Sequence, residues 1–289
     1  YIRMPLTGLF IEEKPYKPPF SFSFSFNPFK GKPKQATQLR TWIEEIDKLA
    51  EDNDVDGLII DIGSVRAGFA KRIEIRNALQ RFKQKGKEII IYADKGIENK
   101  DYFLIAMADK IYLNQVTGID LKGLSMQISF IRGLLDTLSI VPEVFRVNHD
   151  GKSYKTFADP ILNRTMSEEM QENYGDLLND WYEMFVDGVS LRFDGNKEKT
   201  QGIIDNGPYW IVEEAVAAGL ADSIMYPDEF LDYIKSLNNK KVKIINWKNV
   251  DRSNYYVHDW APVKKEKIAV IYASGNIVTG KSNPGPAGS

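Results

Sequence analysis

There is no cysteine among the 289 residues. Disulfides, thiolate metal sites and a cysteine nucleophile are therefore excluded, although the absence selects no compartment. Histidine is almost as scarce, with His149 and His258 the only imidazoles. A multi-histidine metal centre is ruled out, and a Ser-His-Asp triad has few ways to form. No run of about 20 apolar residues occurs, so these residues contain no transmembrane helix. No block of like charge occurs, and the net charge is only -2. That balance gives no reason to expect nucleic acid as a partner. Nucleotide signatures are missing too. The G-S-V-R-A-G stretch at 63–68 lacks the spacing of a dinucleotide fingerprint, and there is no Walker A motif. No cofactor is expected. The chain shows no initiator methionine and no signal peptide. Its abrupt ends at Tyr1 and Ser289 are expected to be cuts.

What is present is ordinary globular material: 43% apolar and 27% charged residues. The length suggests one large or two ordinary domains with a sizeable core. Tyr1 to Ile11 reads as a short strand containing Gly8. Phe20 to Phe26 alternates Phe and Ser strictly, a strand signal with one wholly aromatic face. That face either packs on the chain's own core or serves an oligomer or membrane surface. Gln35 to Ala50 is an amphipathic helix, with Leu39, Trp42, Ile43, Ile46 and Leu49 at helical spacing.

Gly57 to Ile62 is a nearly continuous apolar run, as expected of a strand buried on both faces. Gly63 to Gly68 reads as a loop. Ile73 to Phe82 is helical, Glu88 to Tyr92 a strand, Asp101 to Ala108 a short helix and Lys110 to Asn114 a strand. This alternation argues for an α/β fold with parallel strands. Phe130 to Leu138 is a further helix. Ser167 is placed to cap a long helix with Glu168 and Glu169 in its first turn. The apolar stripe Met170, Tyr174, Leu177, Leu178, Trp181 and Phe185 reads as core packing. Pro208 to Ala218 is helical, stopped by Gly219. Ala221 to Met225 is a strand and Asp228 to Leu237 a helix. Ile268 to Ala273 lies in a fresh buried strand starting at Lys267.

The chemistry is expected between Val144 and Pro160. A strand-like run, Val144 to Val147, meets a turn-forming cluster, Asn148 to Gly151. Lys152 and Lys155 follow, and a polar helix comes soon after. A lysine held past a strand end and pointed into a water-excluding cleft can act as a neutral base. Most lysines are solvated surface charges, so residue type alone selects neither of the two.

Four stretches together resemble the amino-terminal half of the long form of the signal peptide peptidase A (protease IV) family. V-D-G-L-I-I-D-I at 55–62 is similar to the family's x-x-G-I-V-x-D-L strand. D-Y-F-L-I-A-M-A-D-K-I-Y-L at 101–113 resembles its Y-Y-L-A-S-x-A-x-K-I-W-L helix and strand. Residues 215–222 match its A-x-x-x-x-L-V-D segment. Most specific is V-F-R-V at 144–147 with Y-K-T-F-A-D-P at 154–160, against V-F-R-V…Y-K-S-A-x-E-P. Threonine stands for serine and aspartate for glutamate, while the lysine-to-proline spacing is kept.

The resemblance implies a crotonase- or Clp-protease-like α/β fold, a repeated ββα superhelix with an extended helical region. Residues 1–265 form the first repeat, and 266–289 open the truncated second one. It assigns Lys155 rather than Lys152 as the general base of a Ser/Lys dyad in a serine endopeptidase. The family's serine lies in the second half, so the fragment is expected to be inactive alone. The place before Asp101 reads Glu98, Asn99, Lys100, with no serine or glycine pair, and 63–68 lacks the family's S-P-G-G oxyanion-type sequence. Ser153 and Ser274 are better explained as loop residues. Implied partners are cleaved signal peptides or other extended apolar peptides, a homo-oligomer, and a membrane reached through an amino-terminal anchor preceding Tyr1. The implied location is the bacterial cell membrane, with the soluble part facing the periplasm or exterior. A non-catalytic scaffold half for oligomerisation or peptide binding is the competing reading. An acyl-CoA-handling crotonase enzyme comes third, for want of paired backbone donors and acidic catalytic residues.

Overall fold

The computed structural model describes residues 1–13, 36–146, 153–237 and 242–253. In chain order the elements are β1 (Ile2–Ile11), β2 (Thr37–Gln38), α1 (Leu39–Glu51), β3 (Gly57–Arg66), α2 (Phe69–Gln84), β4 (Glu88–Ala93), β5 (Ile97–Glu98), α3 (Asn99–Ile105), β6 (Lys110–Leu113), β7 (Ile119–Asp120), α4 (Arg132–Thr137), α5 (Asp159–Leu162), α6 (Glu168–Ser190), α7 (Lys197–Asp205), α8 (Val212–Ala217), β8 (Ser223–Ile224), α9 (Pro227–Lys235) and β9 (Ile245–Asn246). The main sheet runs β2-β1-β3-β4-β6-β8, with β9 also on β1, and β5 pairs with β7 apart from it. Every one of these strand pairs is parallel. Parallel neighbours need helical crossovers, which is why strands and helices alternate along the chain.

Side chains of a strand point alternately to opposite faces. Leu58, Ile60 and Ile62 of β3 join Ile89 and Ile91 of β4 in the larger core, under α1, α2, α3 and the end of α6. Ile59, Ile90 and Tyr92 face the other way, against Phe230 and Ile234 of α9. Tyr92 stacks on Phe230 at 4.5 Å between ring centroids. Both faces of β3 and β4 are covered, so their sequences read as unbroken apolar runs. Asp61 is the polar exception, and Arg3 of β1 grips it with two hydrogen bonds of 2.8 Å.

Several expectations need correction. Gly63 to Arg66 is strand, not loop, because β1 continues alongside it, pairing Gly8 with Val65 and Leu9 with Arg66. The register shifts between Leu6 and Gly8, and Gly8 has a φ of 90°. A residue without Cβ carries that bulge at little cost. Val144 to Arg146, expected as a strand, joins no ladder among the described residues, and Phe145 is 96% exposed. The helix expected from Phe130 shrinks to the six residues of α4, which bury nothing. The Phe20–Phe26 strand, Val147, Lys152, both histidines and the strand starting at Lys267 lie outside the described residues.

Candidate active site

Lys155 sits at the start of a 3-10 turn, Thr156–Ala158, that runs directly into α5. Its side chain is exposed. The turn beneath it is fixed firmly. Asp159 is wholly buried and accepts a 2.7 Å hydrogen bond from Arg146 Nη1. The Ser167 hydroxyl donates to the other carboxylate oxygen. The same Ser167 oxygen accepts the Met170 N–H at 3.2 Å and caps α6. The Pro160 carbonyl accepts the Ile131 N–H at 2.8 Å, tying in the residue before α4. On the other side of Lys155, the Tyr154 hydroxyl donates to Glu172 at 2.7 Å on α6. A buried carboxylate needs paired donors, and here the two donors come from two other segments. Asp159 therefore joins the 141–146 stretch, the lysine turn and the long helix into one frame. Lys155 is presented by that frame, while two side chains near it in sequence, Phe145 and Phe157, are 96% and 95% exposed.

A second region lies at the carboxyl ends of β3 and β4, where open α/β sheets usually bind ligands. A cavity of about 330 Å³ is lined by Gly68 and Phe69 at the start of α2, Lys100 at the start of α3, Leu124, and Leu178 and Trp181 of α6. Two of its lining residues, Ala67 and Lys100, are held by Arg72, whose guanidinium forms a 2.8 Å ion pair with Asp101, both side chains 5% exposed. Arg72 also donates to the carbonyls of Ala67 (3.1 Å), Lys100 (2.7 Å) and Val65. Asp101 in turn accepts the Val65 N–H at 3.3 Å. This cluster locks the end of β3 onto the start of α3. Arg76, one turn further along α2, lies 4.4 Å from the centre of the Phe103 ring. Its Nε and Nη1 find no partner among the described residues, and burial lowers its pKa, opposed by Asp187.

The apolar stripe on α6 is only partly core. Met170 and Phe185 are buried, but Leu177 and Trp181 are 38% and 45% exposed. The last turns of α6 pack on α3, with Phe185 and Phe103 stacked at 6.3 Å. The middle of the helix instead walls the cavity. Periodicity reports which residues share a face and not whether a neighbour covers it along the whole length. Sequence reasoning missed both the cavity and the Arg72–Asp101 pair. The usable signal was the length of the stripe, a little over four turns from Met170 to Phe185, against the short α3 available to cover it.

The place before Asp101, where the sequence has no serine, is the start of α3, with Asn99 and Lys100. The Asn99 amide is occupied, donating to the Lys122 carbonyl at 2.8 Å and accepting the Lys122 N–H at 2.7 Å. Ser153 lies in the lysine loop itself. Among the described residues no group of three His, Asp or Glu is placed to hold a metal ion, and no helix is long and apolar enough to cross a membrane.

Residues 81–242 match the model of peptidase family S49, more than half of the chain. The chain belongs to peptidase family S49. The match takes in the lysine turn, its buried anchor and the whole of α6. Among curated relatives, Protease 4 of Haemophilus influenzae is 28% identical over 259 residues, covering 84% of this chain and 40% of that protein. The chloroplastic serine protease SPPA of Arabidopsis thaliana is 31% identical over 255 residues, covering 84% and 36%. A putative signal peptide peptidase SppA of Enterococcus faecium is 24% identical over 222 residues, covering 73% and 59%. The chain thus spans well under half the length of the first two S49 relatives. The parallel α/β architecture expected from the sequence is the one seen. Overlap with a solved membrane-bound stomatin-specific protease is loose, with a TM-score of 0.41 and 13% identity, covering 71% of this chain and 90% of that one.

Proposed function

We propose that this chain supplies the general base, Lys155, of a membrane-associated serine endopeptidase that uses a Ser/Lys dyad to degrade cleaved signal peptides and similar extended apolar peptides. The supporting observation is the position of Lys155: a solvent-facing amine on a turn held rigid by the buried Asp159 and its donors Arg146 and Ser167. A surface lysine with no catalytic duty needs no such frame. Lys152, the other candidate, lies outside the described residues.

The mechanism needs a second surface. A lysine amine works as a base where water is excluded from it. Docking of a serine-bearing surface over Tyr154, Lys155 and Phe157 removes that water and favours the neutral amine. The amine then takes the hydroxyl proton as the serine oxygen attacks the peptide carbonyl. The resulting ammonium gives the proton to the departing amine, leaving an acyl-enzyme that water hydrolyses with the lysine again as base. The exposed Phe145 and Phe157 suit burial against such a surface, in the same chain or in a second copy.

The first repeat contributes no nucleophile of its own in this reading. The end of β3 and the starts of α2 and α3 carry the Arg72–Asp101 cluster where an acyl-transfer site needs a serine and free donors aimed at an oxyanion. That observation also favours the second reading, a non-catalytic scaffold for oligomerisation or peptide binding. The test is to incubate the 289-residue chain alone with a synthetic signal peptide. No cleavage is expected, and clear turnover would sink the dyad assignment. Acyl-CoA thioesters are expected not to bind; a saturable titration would favour a crotonase-type enzyme instead.

A further inference from the structure

The cavity between α2, α3 and α6 takes no part in the lysine chemistry, yet it has the make-up of a binding site. Its volume of about 330 Å³ is at the small end of the range for ligand pockets. Leu178, Trp181 and Phe69 give it apolar walls, and Trp181 remains 45% exposed. An indole left half in water at the mouth of an apolar hole is covered favourably by an apolar ligand. Among the described residues, the polar lining is the neutral Asn99 and Ser125 and one charged side chain, Lys100. Lys100 lies on the lining, and no ion pair is recorded for it among the described residues. Gly68 and Phe69 open the 16-residue helix α2, which has no side-chain cap. Its leading N–H groups and the helix dipole favour a negative charge there. No acidic side chain lines the cavity.

One further segment bears on the ligand. Residues 122–130, which line the cavity through Leu124 and Ser125, belong to no helix or strand. Exposure alternates along it, with Leu124, Met126, Ile128 and Phe130 half-buried and Ser125, Gln127 and Ser129 exposed. From 123 to 130 no backbone hydrogen bond to a described residue is recorded. This is the pattern of a strand lacking its neighbour. A ligand with its own backbone groups can pair there, and a simple acyl chain cannot.

We infer that the cavity binds the carboxyl terminus of a peptide ending in an apolar residue. The terminal side chain fills the space beside Leu178 and Trp181, and the carboxylate faces Lys100 and the first turn of α2. The preceding residues lie along 124–130. A carboxyl terminus is what peptide-bond hydrolysis creates, so the site would hold a cleaved product or a substrate's end. The choice of a peptide rests on the peptidase reading; the binding does not, and it is measured without turnover.

The experiment is calorimetric titration of the 289-residue chain with N-acetyl-Ala-Leu-Phe as the free acid, as the carboxamide, and with decanoate as an apolar carboxylate without a peptide backbone. The free acid is expected to bind saturably, with the amide and decanoate each weaker by about tenfold or more. Lys100→Ala, at an exposed position, is expected to keep its fold by circular dichroism and to bind acid and amide alike. Trp181→Ala is expected to weaken the acid and the amide together. Equal binding of acid and amide by the unaltered chain, an acid preference that survives Lys100→Ala, or decanoate binding as tightly as the peptide acid would each overturn the proposal.

Discussion

Asp159 has no exposed surface and Lys155, four residues earlier, stands in water. The pair shows how one residue's burial sets another's usefulness. The carboxylate is satisfied by Arg146 and Ser167, and through them the lysine turn cannot drift. Asp159→Ala should leave Arg146 half-stranded and loosen the turn. Turnover by the full-length protein should fall by at least about tenfold, with Asp159→Glu recovering part of it. Unchanged turnover would remove the anchor from the account. A second residue-scale test concerns Arg72 and Asp101. Removing one partner of a buried pair leaves an uncompensated charge, so Asp101→Ala should cost about 3–5 kcal/mol by urea denaturation. A loss under about 1 kcal/mol would mean that the pair contributes little to holding β3 against α3. Neither role was legible from residue type. Lys155 was singled out only by its spacing to Pro160. Arg72 and Asp101 are 29 residues apart and meet only because α2 and α3 start side by side beyond the end of β3.

Elements with a strong period were legible, and those without neighbours were not. The helical spacing of Leu39, Trp42, Ile46 and Leu49 placed α1 within a few residues, because the sheet covers that face along its whole length. Val144 to Arg146 has the composition of a strand yet joins no ladder, since no partner strand is supplied among the described residues. The end of β3 was misread for the opposite reason: β1 supplied pairing that the local G-S-V-R sequence does not announce. The Ser167 cap was read correctly, but its second bond to Asp159 was invisible from spacing. Ser167→Ala removes both, and a loss of about 1–2 kcal/mol is expected from thermal or urea unfolding. A loss indistinguishable from zero would contradict the dual role. Helix α4 is held partly by charge. Hydrogen bonds from Arg164 and Arg132 hold the Asp136 carboxyl below its ordinary value of 3.8, with burial opposing them. A depressed acid stabilises the fold above its unfolded pKa, and the stabilisation is lost as pH falls through the lower folded value. Amide exchange in α4 should therefore speed up relative to β4 between about pH 5 and about pH 2.5. Equal protection ratios at both ends would show that the arginines are not what holds α4.

At the scale of the whole molecule, the chain is well packed on one side and unfinished on the other. The sheet core is closed on both faces, whereas Val141, Phe145 and Phe157, in the segments that Asp159 ties together, are exposed. A face of that kind is completed by something else, and the proposed completion is a serine-bearing repeat. The fold class was readable from alternating strands and helices, and family membership from four short stretches spread over the chain. What could not be read was which surface remains open, because exposure depends on neighbours that a single sequence does not place. The account stands on Lys155 as the base. The most direct measurement is the rate of signal-peptide cleavage by the full-length protein carrying Lys155→Ala, beside Lys152→Ala. The expected result is a loss of at least about a hundredfold for Lys155→Ala with an unchanged melting transition, and near-normal turnover for Lys152→Ala. Full activity in Lys155→Ala, with activity lost in Lys152→Ala, would contradict it.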